Sequence, residues 1–172
     1  MTSSASWNHQ NFSVPPEQLE RVEECIDRLF PGWVKFVRKP DLIGYRLEAD
    51  FNLGALYFRP TTAAGILHER LRRERRDETE LGGFLRQLES IDPDFNDHTG
   101  ILLPTVPEWE GCVERALGLE RDRADLEVRV VAVLRPGDPQ APTDYLHQLF
   151  LRVGLLGPFR NTFEVQAIRP GS

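Results

Sequence analysis

The densest set of chemistry-bearing side chains is Asp92-Pro93-Asp94-Phe95-Asn96-Asp97-His98-Thr99-Gly100, with three carboxylates, an amide and an imidazole between positions 92 and 98. An imidazole beside a carboxylate can move protons, and the same residue types ligate metals. The spacing rejects calcium. An EF-hand loop starting at Asp92 needs glycine where this chain has Asp97 and glutamate where it has Leu103. Zinc would need ligands from elsewhere, so no metal and no cofactor are assigned. His98 with Asp94 or Asp97 is the catalytic candidate, set against a polar turn whose Asp and Asn side chains bond their own backbone.

A second set is Arg70, Arg72, Arg73, Arg75 and Arg76, whose guanidinium groups suit phosphates or an acidic partner. Glu69, Glu74, Asp77, Glu78 and Glu80 interleave with them and no aromatic is present to stack on a base. A solvated, salt-bridged helix explains the pattern, and nucleic acid is disfavoured. No GxxxxGK[ST], GxGxxG or GxSxG occurs, and Arg72 stands where a zinc-protease helix starting at His68-Glu69 would need histidine. Pro136-Gly137-Asp138 follows an apolar strand and precedes an expected helix, a common place for functional loops, yet it reads as a plain connection.

The elements that must position these groups follow from periodicity. Residues 1–14 read as a flexible tail closed by Pro15 and Pro16, and 15–172 as a single domain. Leu19, Val22, Ile26, Leu29 and Phe30 recur at helical spacing. Three stretches, 33–37, 42–49 and 53–59, read as an antiparallel meander. Helices are expected after Thr61-Thr62 and over Leu81 to Ile91, with Gly82-Gly83 marking a bend or a close helix contact. Thr105-Val-Pro-Glu108 is a capping box opening a further helix. Leu126 to Leu134, almost continuously apolar, reads as a central strand. Leu146, Leu149, Phe150 and Val153 predict a helix over 144–153, and 162–168 a closing strand. No internal repeat is evident. The fold class is α+β: a mostly antiparallel sheet of about five strands packed against four to five helices.

At 172 residues with 40% hydrophobic and 28% charged residues, the chain can bury a core without staples. Its net charge of −6 opposes non-specific attraction to nucleic acid or anionic membranes. All but two of the 21 basic residues are arginine, a bias ascribed to the coding sequence. Cys25 and Cys112 read as buried free thiols, no membrane span or signal peptide is evident, and the cytoplasm is expected.

These features lean away from catalysis and toward a small acidic protein-binding module: an adaptor, immunity-type inhibitor or chaperone with a protein partner, homo-oligomerisation being open. Its contact residues are Arg70, Arg72, Arg73, Arg76, Tyr145 and Leu151, the last two because the expected helix is apolar beyond one stripe. The alternatives are a hydrolase or metal-dependent phosphoryl-transfer enzyme using His98 with Asp94 or Asp97, and nucleic-acid binding through the Arg70–Arg76 helix.

Overall fold

The computed structural model describes residues 9–46, 54–90, 98–157 and 162–169. The chain divides into two compact units, 1–69 and 70–172.

The first unit holds β1 (His9–Val14), α1 (Leu19–Leu29), β2 (Val34–Lys39), β3 (Leu42–Arg46) and β4 (Ala55–Pro60). Its sheet has the order β1-β4-β3-β2, with β1 parallel to β4 and the other pairs antiparallel. Phe12, Val14, Ile43, Tyr45, Leu56 and Phe58 share one sheet face, and Leu19, Val22, Cys25, Ile26 and Leu29 of α1 are buried with them. Burial of such side chains contributes roughly 1.5–3 kcal/mol each. Polar groups fix the helix on the sheet: Lys35 lies 2.7 Å from both Glu23 and Asp27, and Arg38 lies 2.8 Å from Glu23. The Tyr45 hydroxyl donates to Asp27 at 2.8 Å, and burial first, then Asp27, raises that phenol above its ordinary pKa. His9–Val14 is therefore a strand where a flexible tail was expected, and residues 1–8 of that expected tail lie outside the described residues. The edge amides and carbonyls of β1 find partners in β4 that sequence periodicity alone does not reveal.

The second unit holds α3 (Glu80–Ser90), β5 (His98–Leu102), α4 (Val106–Asp122), β6 (Val128–Leu134), β7 (Leu146–Val153) and β8 (Thr162–Ile168); α2 (Thr62–Arg76) runs across the unit boundary. Its sheet has the order β5-β8-β7-β6, again with one parallel pair, β5 with β8, and two antiparallel pairs. The order and strand directions repeat those of the first sheet. Even the irregularity repeats, because β2 bulges between Lys35 and Val37 and β6 between Val130 and Ala132. The chain thus contains a βαβββ repeat that its sequence does not display.

The α+β class holds, with two four-stranded sheets where one sheet of about five strands was expected. The residues 146–153 form a strand, not a helix. Leu149, Leu151 and Val153 alternate with Gln148, Phe150 and Arg152, and both sets are buried. Burial on both faces erases the amphipathic alternation that would identify a strand. Conversely β6, the expected central strand, lies at the sheet edge. The turn after it, where Arg135 N donates to Asp138 Oδ2 at 2.7 Å and Gly137 takes φ +94°, leads to this strand rather than to a helix.

Local signals for the other helices are confirmed. Thr61 Oγ1 accepts from Ala64 N at 3.1 Å at the start of α2, and α3 is capped by Thr79, whose Oγ1 accepts from Gly82 N at 3.0 Å and which sequence reading had not singled out. Gly82 marks a close helix contact, since a Cβ there would lie 2.3 Å from the Glu74 carbonyl oxygen. Thr105 caps α4 by accepting from Glu108 N, but its hydroxyl then donates to the Glu108 carboxylate at 3.0 Å. Cys25 and Cys112 are free and buried.

Candidate functional site on the second sheet

In β5, β8 and β7 the side chains alternate between a face that meets α4 and the opposite face. Ile101, Phe163, Val165, Ala167, Leu149 and Leu151 take the α4 side, where Trp109 Nε1 donates to the Val165 carbonyl at 2.8 Å. The remaining positions, His98, Thr162, Glu164, Gln166, Gln148, Phe150 and Arg152, fall on the face opposite α4 by strand register.

Glu164 organises this face. Its Oε2 lies 3.0 Å from His98 Nε2, and its Oε1 accepts from Gln148 Nε2 at 2.7 Å and from Gln166 Nε2. Glu164, Gln148, Thr162 and Arg152 are all buried, while His98 keeps 28% of its side-chain surface exposed. An ionised carboxylate offers about four lone-pair sites, so three N–H donors leave one. The two glutamines are fixed with their NH2 groups toward Glu164, because a carboxylate accepts and does not donate. Gln148 Oε1 is thereby turned away from Glu164 and has no hydrogen-bond partner among the described residues. With the His98 proton on Nε2 facing Glu164, the basic nitrogen of the neutral ring is Nδ1. The arrangement can hold an imidazole in one tautomer and transfer a proton.

The sequence candidates are only partly brought together. His98 is in the site, at the start of β5 rather than in a loop, while its expected partners Asp94 and Asp97 lie outside the described residues. Among the described residues Glu164, 66 positions later in the chain, is a partner of His98. No set of three His, Cys, Asp or Glu suited to a metal occurs among the described residues. Arg70, Arg73 and Arg76 are exposed on α2, whereas Arg72 reaches Glu127 at 2.5 Å. Glu127 has left-handed backbone (φ 51°) and its carbonyl accepts from Gly154 N, so Arg72 pins a turn. Tyr145 is exposed, but Leu151 is fully buried against the α4 side of β7, which removes it as a surface contact. His147 packs on Trp109, ring centroids 5.0 Å apart, and Cys112 is buried in α4. Burial pushes the Cys112 thiol up to about 11 and the Cys25 thiol up to about 12, so neither is an activated nucleophile.

Glu164, Gln148, Gln166, Thr162 and Arg152 were missed. The signal was present in β8, where Thr162, Glu164 and Gln166 alternate with Phe163, Val165 and Ala167: a polar stripe inside an otherwise apolar strand. Reading 144–153 as a helix hid the partners in β7.

Comparison with solved structures identifies the architecture. The chain is similar to a glyoxalase/bleomycin resistance protein/dioxygenase family enzyme from Burkholderia phytofirmans PsJN, with TM-score 0.51 and 14% identity over 95% of this chain and 99% of that one. It is similar also to a glyoxylase/bleomycin resistance protein/dioxygenase domain from Frankia sp. EAN1pec, with TM-score 0.54 and 14% identity over 99% and 96%. No family profile matches the sequence, and no curated protein matches it. At this identity the likeness is one of fold.

It nevertheless overturns the function expected from sequence. The matching folds are described as glyoxalase, bleomycin-resistance and dioxygenase proteins, not as adaptors, immunity-type inhibitors or chaperones. The hydrolase or phosphoryl-transfer reading with Asp94 and Asp97, and the nucleic-acid reading of the Arg70–Arg76 helix, fall with it. The physical reason for the error is that absent short motifs were read as absent chemistry, whereas this site is assembled across three strands. No described helix is long and apolar enough to cross a membrane.

Proposed function

We propose that the protein acts on a small molecule, as a glyoxalase-type enzyme, with the face of the second sheet opposite α4 as its site and His98 as the proton-transferring group. The observation that carries this reading is Glu164, buried and holding His98 and two glutamines by three N–H donors. A buried polar cluster in a sheet costs stability unless satisfied, and three N–H donors converging on one buried carboxylate hold an imidazole beside it in a fixed orientation. Glu164 sets the tautomer of His98, Nδ1 takes or returns the proton, and Gln148 Oε1 offers an acceptor to a ligand hydroxyl or N–H. Neither a protein partner nor nucleic acid is needed. Free, buried Cys25 and Cys112 suit a reducing compartment, and a cytoplasmic location is proposed with them.

The test is deuterium exchange at the carbon next to the carbonyl of hydroxyacetone in D2O, followed by NMR. Exchange is expected in the wild-type protein and is expected to fall about 100-fold or more in His98→Asn and Glu164→Gln, the usual range for a positioned acid–base group, with the melting temperature retained in His98→Asn. Wild-type exchange rates in both variants would remove His98 from the reaction. A second reading, sequestration without turnover, is favoured by the near-saturation of Glu164, which leaves one lone-pair site. It predicts ligand binding without exchange.

A further inference from the structure

The open face of the first sheet carries different chemistry. By register His9, Asn11 and Ser13 of β1, Ala55, Tyr57 and Arg59 of β4, and Leu42, Gly44 and Arg46 of β3 lie opposite α1. The bulge in β2 adds two consecutive residues, Phe36 and Val37, to the same face, as bulges do when they redirect a side chain. Gly44 makes room for them. A Cβ there would lie 2.6 Å from Val37 Cγ1 and 3.0 Å from both the Phe36 and Tyr57 rings.

The outcome is a continuous row of π systems. Phe36 and Tyr57 meet edge to face, with centroids 5.6 Å apart at 77°, and His9 meets Tyr57 at 5.5 Å and 82°. The Arg46 guanidinium sits 4.4 Å from the Phe36 ring centroid. Phe36, Tyr57 and Arg46 are half-buried, and His9, Arg59 and Lys39 are exposed. Lys39, opposite Leu42, and Arg59, two residues from Tyr57, share this face, and none of its described strand residues is acidic. In a chain of net charge −6 this is a locally cationic aromatic surface.

We propose that this face is a binding site for a planar aromatic anion, an aryl carboxylate or sulfonate, whose ring packs on Tyr57 and Phe36 and whose charge pairs with Arg46. Ring packing selects flat conjugated ligands over saturated ones of equal size, since the quadrupole interaction exists only between π systems. The guanidinium stacks and hydrogen-bonds at once, which lysine would not do, and the described strand residues of the face bring no carboxylate to repel an anion. This site stands apart from the His98 reading, since it rests on other residues and on binding rather than proton transfer.

The experiment is a titration of the full-length protein with naphthalene-2-sulfonate, cyclohexanesulfonate and 2-naphthol, followed by 1H–15N shifts. Naphthalene-2-sulfonate is expected to saturate, with the largest shifts in 34–46 and 55–60. Tyr57→Leu and Phe36→Leu are each expected to weaken it about two- to tenfold. Arg46→Met is expected to weaken naphthalene-2-sulfonate while leaving 2-naphthol unchanged. The proposal is overturned if cyclohexanesulfonate binds as well as the aryl sulfonate, if the shifts fall on other strands, or if no saturation is seen up to about 10 mM, beyond millimolar affinity. Leucine keeps the apolar volume, so correctly folded variants are expected; a variant with a collapsed spectrum is replaced by Arg46→Met, whose selectivity between the two naphthyl probes decides alone.

Discussion

At matched positions the two sheets carry His9 and His98, Arg46 and Arg152, but Tyr57 against Glu164 and Gly44 against Phe150. The strand order, directions and bulge are the same, so the backbone presents both sets of side chains in the same way. The difference lies in what the partner of each histidine can do. A phenol ring packs edge-on against His9, whereas a carboxylate accepts from His98 and from two amides besides. Filling differs too: at the centre of the second sheet Phe150 is fully buried, while Gly44 leaves its space to Phe36 and Tyr57. One scaffold thus hosts a face centred on a buried carboxylate and a cationic aromatic one, because sheet register fixes where side chains point and leaves their chemistry open.

The comparison is broken most severely at its central pair. Phe150→Ala should cost about 3–5 kcal/mol, the usual price of emptying a fully buried ring site, read as a drop in urea midpoint at unchanged slope. Gly44→Val should cost about 1–3 kcal/mol by overpacking, since its Cβ would press on Val37, Phe36 and Tyr57. If Gly44→Val were neutral in the same denaturation, the rings would not be locked over that glycine. Glu164→Gln comes next, at about 1–3 kcal/mol, because the new amide leaves buried donors facing a donor; Tyr57→Phe at the matched position should be near neutral in the same assay.

The helices sharpen the contrast on a smaller scale. Thr105→Ala at the start of α4 should cost about 1 kcal/mol as a lost N-cap, while α1, whose N-cap Gln18 makes no side-chain cap bond, offers no equivalent loss on Gln18→Ala. Smallest is the pair of thiols, one per unit. Burial raises Cys25 from 9.0 to about 12, with Glu24 adding to it, and Cys112 from 9.0 to about 11, against a lowering by Arg115. Each folded value lies above the unfolded one, so each thiol's contribution is present below pH 9 and lost as pH rises, through about 11 for Cys112 and about 12 for Cys25. Ellman's reagent at pH 8 should leave both untouched in the folded protein and label Cys112 first as the pH is raised; immediate labelling of either would contradict its burial.

Much of the first unit was legible. The stripe Leu19, Val22, Ile26, Leu29 matched α1, because it has one buried and one wet face, and the strands expected near 33–37, 42–49 and 53–59 are present as β2, β3 and β4 within the described residues. In the second unit the same rule failed for β7, where Gln148, Phe150 and Arg152 are buried along with Leu149, Leu151 and Val153, and the chance spacing of Leu146, Leu149, Phe150 and Val153 imitated a helix. Of the site only His98 was found, since its nearby carboxylates in sequence drew attention from one 66 positions away.

Local sequence by itself determined the caps at Thr61 and Thr105, the buried free thiols and the α+β class, because each depends on a few neighbouring residues or on composition. Only the tertiary structure decided that β1 joins β4, that the chain repeats one βαβββ unit, and that Glu164 meets His98 while Tyr57 meets His9. Those are pairings between strands distant in sequence, set by which backbone edges find hydrogen-bond partners, and no periodicity within a strand encodes its neighbour.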